Sequence, residues 1–578
     1  MRRYGWLLAA SLLLASPVSG ATAEDDAPPP LAVVSLANCD DLDSDIQQLL
    51  RSAGPALAED LKPLAEAWKT LANSRGLDRR RPAGAVIRLS AGMRPEGYAF
   101  VPVSDLKQWL DSLQAVRHGE GGDPDGPFVV QIKGAPVYVK GKANRWAFLA
   151  PDPGMLSDLP DDPKPLLAGL HEKYAVALRF SPDGLPKPLR TLFVEQIKAA
   201  RDAALAKGKP ADKTDGYWAG QQFGFRWTVR TAEAIADELE HLTIGVAGDR
   251  RTGALRGEMS IESRAGTPMA GWFAQLAQCK SRLGGLVLPG AYGTVTWCVE
   301  FTPGDRTAAR AWLKGPVADA MKSLDEKHLG ADGMEMAKRT IEGLADLACE
   351  MVADGRIEGT FSARIAEAGF TSLGAIHLAD AAKVEAAFQQ LVAKAKEMDA
   401  DARSAFLPAE QHRGVRLNPL EIPLSPSLAN RERLVQFVGE KLEVVVGFGD
   451  RMMYVAAGRN AVRSLKETLD RAAEAPSQPV PTFQYAIALR SVLEFIAPIA
   501  PANEREDMDE VLKLLQTAAG KDRVSFTVQA RDRGLDLRFD ADEGVVKIFL
   551  LGVSKALRRQ PPPGPFDTAL PTEKAAGG

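Results

Sequence analysis

The octapeptide CDDLDSDI, residues 39–46, holds the densest set of chemically capable side chains in the sequence. Asp41, Asp43 and Asp45 alternate as the first ligands of a calcium loop do. Such a loop needs glycine at its sixth position and a bidentate glutamate at its twelfth. Ile46 and Ser52 stand at those two places, so both demanding positions fail. At the start of a helix the same carboxylates have a plainer use. There each gains about 0.3–1 kcal/mol from facing the positive end of the aligned peptide dipoles.

Other chemistries find less support. The histidines are His118, His171, His241, His328, His377 and His412, and no two share an HxH or HxxxH spacing. HEKYA, residues 171–175, begins like a zinc-protease helix, but Ala175 takes the place of the second histidine. There is no GxSxG elbow to expose a serine nucleophile, and no SxxK beside partner motifs. GAPVYVKGKAN lacks the spacing of a phosphate-binding loop and reads as a β-hairpin. No metal site and no cofactor is expected. Asp and Glu are plentiful, and a catalytic carboxylate pair can be far apart in sequence, which leaves a hydrolase as the alternative to a binding protein.

These residues sit on a recurring pattern: an apolar strand, an Asp, Ser or Pro turn, then an amphipathic helix. In LAVVSLANCDDLDSDIQQLLRSAG, Val33 to Leu36 is strand-like and Ile46, Leu49 and Leu50 form an i, i+3, i+4 stripe. YAFVPVSDLKQWLDSLQAV repeats it with Ser104 as N-cap. GAIHLADAAKVEAAFQQLVAKA does so with Asp380 near the cap, and RMMYVAAGRNAVRSLKETLDRA is a fourth case. The hexapeptide YAVALR (174–179) also has a near twin, YAIALR (485–490). Around each twin, similar strands, helices and a late hairpin follow in one order. The hairpins turn on charged clusters that end in Gly253 and Gly534.

We therefore expect an α+β protein of two tandem, duplicated lobes, residues 31–265 and 290–545. Each would be a mainly antiparallel sheet covered by helices. From Tyr174 to Leu242 the first lobe is longer than the second from Tyr485 to Val524, and the extra length overlaps DGYWAGQQFGFRWTVR. Aromatic faces carry much of the energy at interfaces and stack on ring and apolar ligands. Tyr217, Trp218, Phe225 and Trp227, with Phe223 among them, are accordingly the candidate binding residues.

MRRYGWLLAASLLLASPVSGATAEDD reads as a secretory signal peptide: Arg2 and Arg3, a short apolar run, then small residues before a cut after Ala23. The expected divisions are a signal peptide at 1–23, a flexible leader at 24–30 and a disordered Pro/Gly-rich tail at 559–578. No later stretch is long and apolar enough for a transmembrane segment. The formal net charge of −4 argues against a nucleic-acid partner. Export permits disulfides among Cys39, Cys279, Cys298 and Cys349, with three pairings possible.

The signal peptide, the YAFVPVSDLKQWLDSL-like units and the VYVKGKANRWAFLAPDP hairpin resemble exported bacterial proteins of unknown function. That resemblance implies an envelope location, periplasmic or extracellular, and brings no catalytic residue. The expected function is non-catalytic binding of an envelope ligand or partner, with the paired-carboxylate hydrolase as alternative.

Overall fold

In the computed structural model, residues 29–559 are described, apart from short stretches at 90–93, 114–115, 118–126, 133–134, 144, 212–214 and 282, most of 302–325, and 367–368, 399–405, 427–430, 475–477, 498–499, 501 and 519. The signal peptide, most of the leader and all but the first residue of the tail expected from the sequence lie outside the described residues.

Among the described residues, one antiparallel sheet of twenty strands organises the chain, and helices pack on it; the architecture is α+β. Numbering only the strands of that sheet, the first ten are β1 (Ala32–Leu36), β2 (Ala83–Leu89), β3 (Pro95–Pro102), β4 (Val116–Arg117), β5 (Phe128–Ile132), β6 (Ala135–Lys142), β7 (Trp146–Ala150), β8 (Val176–Phe180), β9 (Leu239–Asp249) and β10 (Ala254–Ser263). The other ten are β11 (Gly293–Glu300), β12 (Arg356–Ala366), β13 (Gly369–His377), β14 (Glu410–His412), β15 (Val415–Pro423), β16 (Lys441–Gly449), β17 (Met452–Gly458), β18 (Phe483–Ala488), β19 (Arg523–Arg531) and β20 (Gly534–Ala541). Lys280–Ser281 and Gln478–Pro479 form a separate short pair.

The two sets meet edge to edge, with β10 antiparallel to β20 over Leu255↔Ala541 to Glu262↔Gly534. Outward from β10 the neighbours are β9, β8, β1, β2, β3, β7, β6, β5 and β4. Outward from β20 they are β19, β18, β11, β12, β13, β17, β16, β15 and β14. Each strand on the second side thus follows its counterpart on the first by ten places.

The helices used below are α1 (Cys39–Ala72), α2 (Leu106–Ser112), α3 (Lys187–Ala206), α4 (Asp215–Asp237), α5 (Pro268–Ala277), α6 (Glu326–Asp354), α7 (Ala381–Met398), α8 (Ala461–Glu474), α9 (Leu489–Ile496), α10 (Ala502–Gln516) and α11 (Glu543–Arg559). Among the described residues no helix is long and apolar enough to cross a membrane. α1 begins where the acidic run predicts, with the Asn38 carboxamide accepting from Asp41 N–H at 2.8 Å. The cap of α2 falls one residue after the expected Ser104. Asp105 is extended there and accepts from the Gln108 N–H, because its longer carboxylate reaches the first turn. Asp380 caps α7 as read, accepting from Lys383 N–H at 3.0 Å.

The best-packed cores lie toward the outer strands. Phe100, Phe148, Val86, Leu156 and Leu167 bury one face of β2, β3 and β7. Val139, Ala147, Trp109 and Leu110 bury the other face beneath α2. Leu373, Leu417, Val445 and Ala456 do likewise beneath Leu465 of α8. The central strands are different, because their two faces have opposite character. Glu258, Ser260, Arg538, Asp536, Thr243 and Thr527 point to one side of β9, β10, β19 and β20. Met259, Ile244, Leu537 and Val528 point to the other. Cys279 and Cys298 form a disulfide that ties the segment after α5 to β11, while Cys39 is a free thiol.

Candidate ligand-binding site

A cavity of about 390 Å³ lies on the apolar face, between α1 and the sheet. Leu36, Val101, Val176, Val246 and Leu255 supply its floor from β1, the β3 edge, β8, β9 and β10. Leu42, Ile46 and Leu49, spaced along one side of α1, supply its roof, and Trp109 and Leu113 close one flank. Strand alternation explains the floor: residues two apart on each strand project to one face, and here all are apolar. Trp68 also lines the cavity. Its indole N–H is buried and has no hydrogen-bond partner among the described residues.

The opening is polar. Gly253, at φ +74°, lets the β9–β10 turn fold tightly enough to present Arg250 to α1. Arg250 lies 2.5 Å from Asp45 and 2.8 Å from Asp41, and it donates to the Asp41 carbonyl at 2.9 Å. Asp40 holds Arg79 at 2.7 Å. Asp41 and Asp45, two of the three carboxylates that suggested a calcium loop, are therefore spent on a guanidinium group, and with Asp40 they fasten the start of α1 over the mouth. Cys39 faces the same space, and burial pushes its thiol pKa up, away from the thiolate that a nucleophile needs.

The opposite face carries a second, polar hollow of about 250 Å³. The Tyr174 ring lies so close over Gly245 that a β-carbon there would sit 2.4 Å from it. Its hydroxyl donates to Glu258 Oε2 at 2.9 Å, and Lys173 Nζ meets the same oxygen at 2.6 Å. Across the junction Arg531 binds Asp536 at 2.6 Å and donates to Ser260 Oγ at 2.8 Å, while Arg256 and Arg538 share Asp540 at 2.9 and 2.6 Å. Burial opposes ionisation of Glu258, yet the bonds from Lys173 and Tyr174 outweigh it and hold the carboxyl below the ordinary glutamate value. Asp540 is held low in the same way by Arg538 and Arg256.

A glycosidase-type general acid needs the reverse displacement. Among the described residues, each carboxyl group with a displaced pKa is displaced downward: Asp78, Asp249, Glu258, Asp470, Asp540 and Glu543. The His171 side chain is only 10% exposed and lies 3.5 Å from Glu172, and burial lowers its pKa.

The aromatic candidates lie elsewhere. Tyr217, Trp218, Phe223, Phe225 and Trp227 all fall on α4, which pairs with α3 as a helical hairpin between β8 and β9. Lys198 reaches Glu233 at 3.0 Å across that hairpin. Trp227 is 60% exposed and the others are half-buried. None of them lines the cavity under α1. The extra length of the first side is thus helix: 20 and 23 residues in α3 and α4, against 8 and 15 in α9 and α10. The cavity's floor residues escaped the sequence reading because Val176 and Val246 look like ordinary core positions. Only the register shows that they share one open face.

Family models, curated proteins and solved structures were compared with this chain, and none matches it.

Proposed function

We propose that this chain is an exported, non-catalytic binding protein that holds an apolar ligand between α1 and the sheet. We also propose that it is built from two tandem copies of one α+β unit, residues 31–265 and 290–545. The shared strand order on both sides of the β10–β20 pair supports duplication, since ten strands following one another in the same sequence is a demanding coincidence. A disulfide between Cys279 and Cys298 suits the oxidising compartment that a cleaved signal peptide leads to. In this reading Tyr217, Trp218, Phe225 and Trp227 form a separate contact for a protein partner in the envelope.

The observation that carries the binding function is the cavity itself. It falls within the usual size of ligand sites, and its walls are almost wholly aliphatic and aromatic. The Trp68 N–H supplies a donor that a bound oxygen would satisfy. The hydrolase alternative gains no support from the carboxyl groups with displaced pKa values among the described residues, since each is displaced downward.

The test is titration with the neutral apolar dye N-phenylnaphthylamine. Saturable fluorescence enhancement is expected from the wild type. The Val176→Glu, Val246→Glu double variant should lose it by at least tenfold, about 1.4 kcal/mol. Both side chains are already 40–45% exposed, so the folded state tolerates the change. Equal dye binding by wild type and variant would remove the cavity from the function.

A further inference from the structure

We infer that the ligand is a long single-chain amphiphile whose hydrocarbon tail leaves the cavity and runs along the apolar face of the central sheet. The headgroup, neutral or cationic, stays at the Asp45–Arg250 mouth. This rests on the binding reading proposed above and names its ligand class.

The floor of the cavity does not end at its walls. Val176 pairs with Val246, Val246 with Gly257, and Gly257 with Phe539 across the junction. From there the same rung runs through Phe526, Tyr485 and Val295 to Phe361. The adjacent rung on that face is also apolar, from Leu178 through Met259 and Leu537 to Trp297. At the usual strand spacing the rungs are roughly 30–35 Å long. Val176, Leu178, Ile244, Val246, Phe539 and Phe361, spread along this face, are each 40–45% exposed. A sheet interior ordinarily hides such side chains, and a contiguous apolar stripe of this extent marks an interaction site.

Two observations select hydrocarbon over polypeptide. Every strand under the track is interior to the ladder, so its backbone N–H and C=O groups are already paired. A strand laid across it would bury its own backbone unsatisfied, at a cost of several kcal/mol. An α-helix is about 10 Å across and rises 5.4 Å per turn, so a cavity of this volume holds roughly one turn. A methylene chain carries no backbone polarity and has no such minimum width. Charge then selects the headgroup. Asp45 and Asp249 line the mouth with Arg250, and Arg250 is already bound by Asp41 and Asp45. An added anion would meet an excess of carboxylate.

The experiment is displacement of N-phenylnaphthylamine from the full chain by decanoyl, dodecanoyl, tetradecanoyl and hexadecanoyl lysophosphocholine. Each is used below its micellar concentration, with the matching fatty carboxylates as comparison. Affinity should rise about tenfold for each added pair of methylenes, as continued burial of chain requires. Phe539→Glu, beyond the cavity on the track, should cost the hexadecanoyl chain far more than the decanoyl chain. Dye binding with no dependence on chain length would overturn the proposal and leave the cavity reading intact. Loss of dye binding altogether would sink both. Preference for the carboxylates, or for an amphipathic helical peptide over every amphiphile, would overturn it as well.

Discussion

On the apolar face, the two sides of the β10–β20 pair present the same ladder with different side chains. On the first side the two central rungs are aliphatic: Gly257, Val246, Val176 and Leu36 on one, Met259, Ile244, Leu178 and Val34 on the other. On the second side they read Phe539, Phe526, Tyr485 and Val295, then Leu537, Val528, Phe483 and Trp297. Aromatic rings have entered at strand after strand, and Phe483 and Phe526 lie 6.2 Å apart, centroid to centroid. Gly359 shows how close the filling is, since a β-carbon there would sit 2.1 Å from the Trp297 ring. Small floor residues leave room beneath a covering helix, whereas rings occupy that room themselves. The cavity beneath α1 is a matter of side-chain volume as well as topology.

The largest effect should come from stripping rings off the second side. Tyr485→Val with Phe526→Val is expected to cost about 3 kcal/mol, from lost transfer free energy and residual void. The same variant should open a second apolar site. Urea unfolding reads the cost, and dye stoichiometry rising from one toward two reads the site. An unchanged stoichiometry would mean that something other than ring volume separates the two sides.

Importing the rings is the converse experiment. Val176→Tyr with Val246→Phe carries the second side's residues onto the first. Dye affinity should fall ten- to a hundredfold, about 1.4–2.8 kcal/mol. Stability should shift by less, because both positions already face open space.

How much of this was readable beforehand follows from which signals are local. The acidic start of α1, the Asp380 cap and the late hairpins were legible, because caps and turns are written in adjacent residues. The recurring order of elements along the chain has the same cause, since strand–cap–helix grammar recurs in sequence. The twin hexapeptides proved less informative than they looked. Val176 opens β8 on the apolar face, and Tyr174, just before it, bends to the polar side to reach Glu258. Tyr485, its twin, sits inside β18, paired with Val295 and Phe526. Pairing of β10 with β20 joins residues nearly three hundred apart, and no local pattern encodes it. Without that register, neither the cavity floor nor the two apolar rungs can be recognised.

On the polar side the junction rests on ion pairs, and Glu258 tests their share. Its folded-state pKa is lowered, so its contribution is present above the unfolded value of about 4.3 and is lost as pH falls through the folded value. Lys173 is 62% exposed, so solvent screening discounts the pair. Glu258→Gln should cost about 1–2 kcal/mol at neutral pH. The difference from wild type should shrink toward zero as pH falls through the folded-state value. A gap that stays constant with pH would assign the loss to packing of the Tyr174 ring instead.

The smallest effect belongs to the α3–α4 hairpin, the other place where the two sides differ. Trp227 is largely exposed, so truncation to Phe should move stability by less than about 0.5 kcal/mol. Its fluorescence is the useful readout. Iodide should quench a component that disappears in Trp227→Phe, while the signal from buried Trp109 and Trp146 persists. Saturating the cavity with dye should leave that quenching unchanged, because none of the hairpin aromatics touches the cavity. Protection of Trp227 by dye would join the two regions into one site. The contrast would then shift from an aliphatic side against an aromatic side to a ligand shared between the sheet and its helical arm.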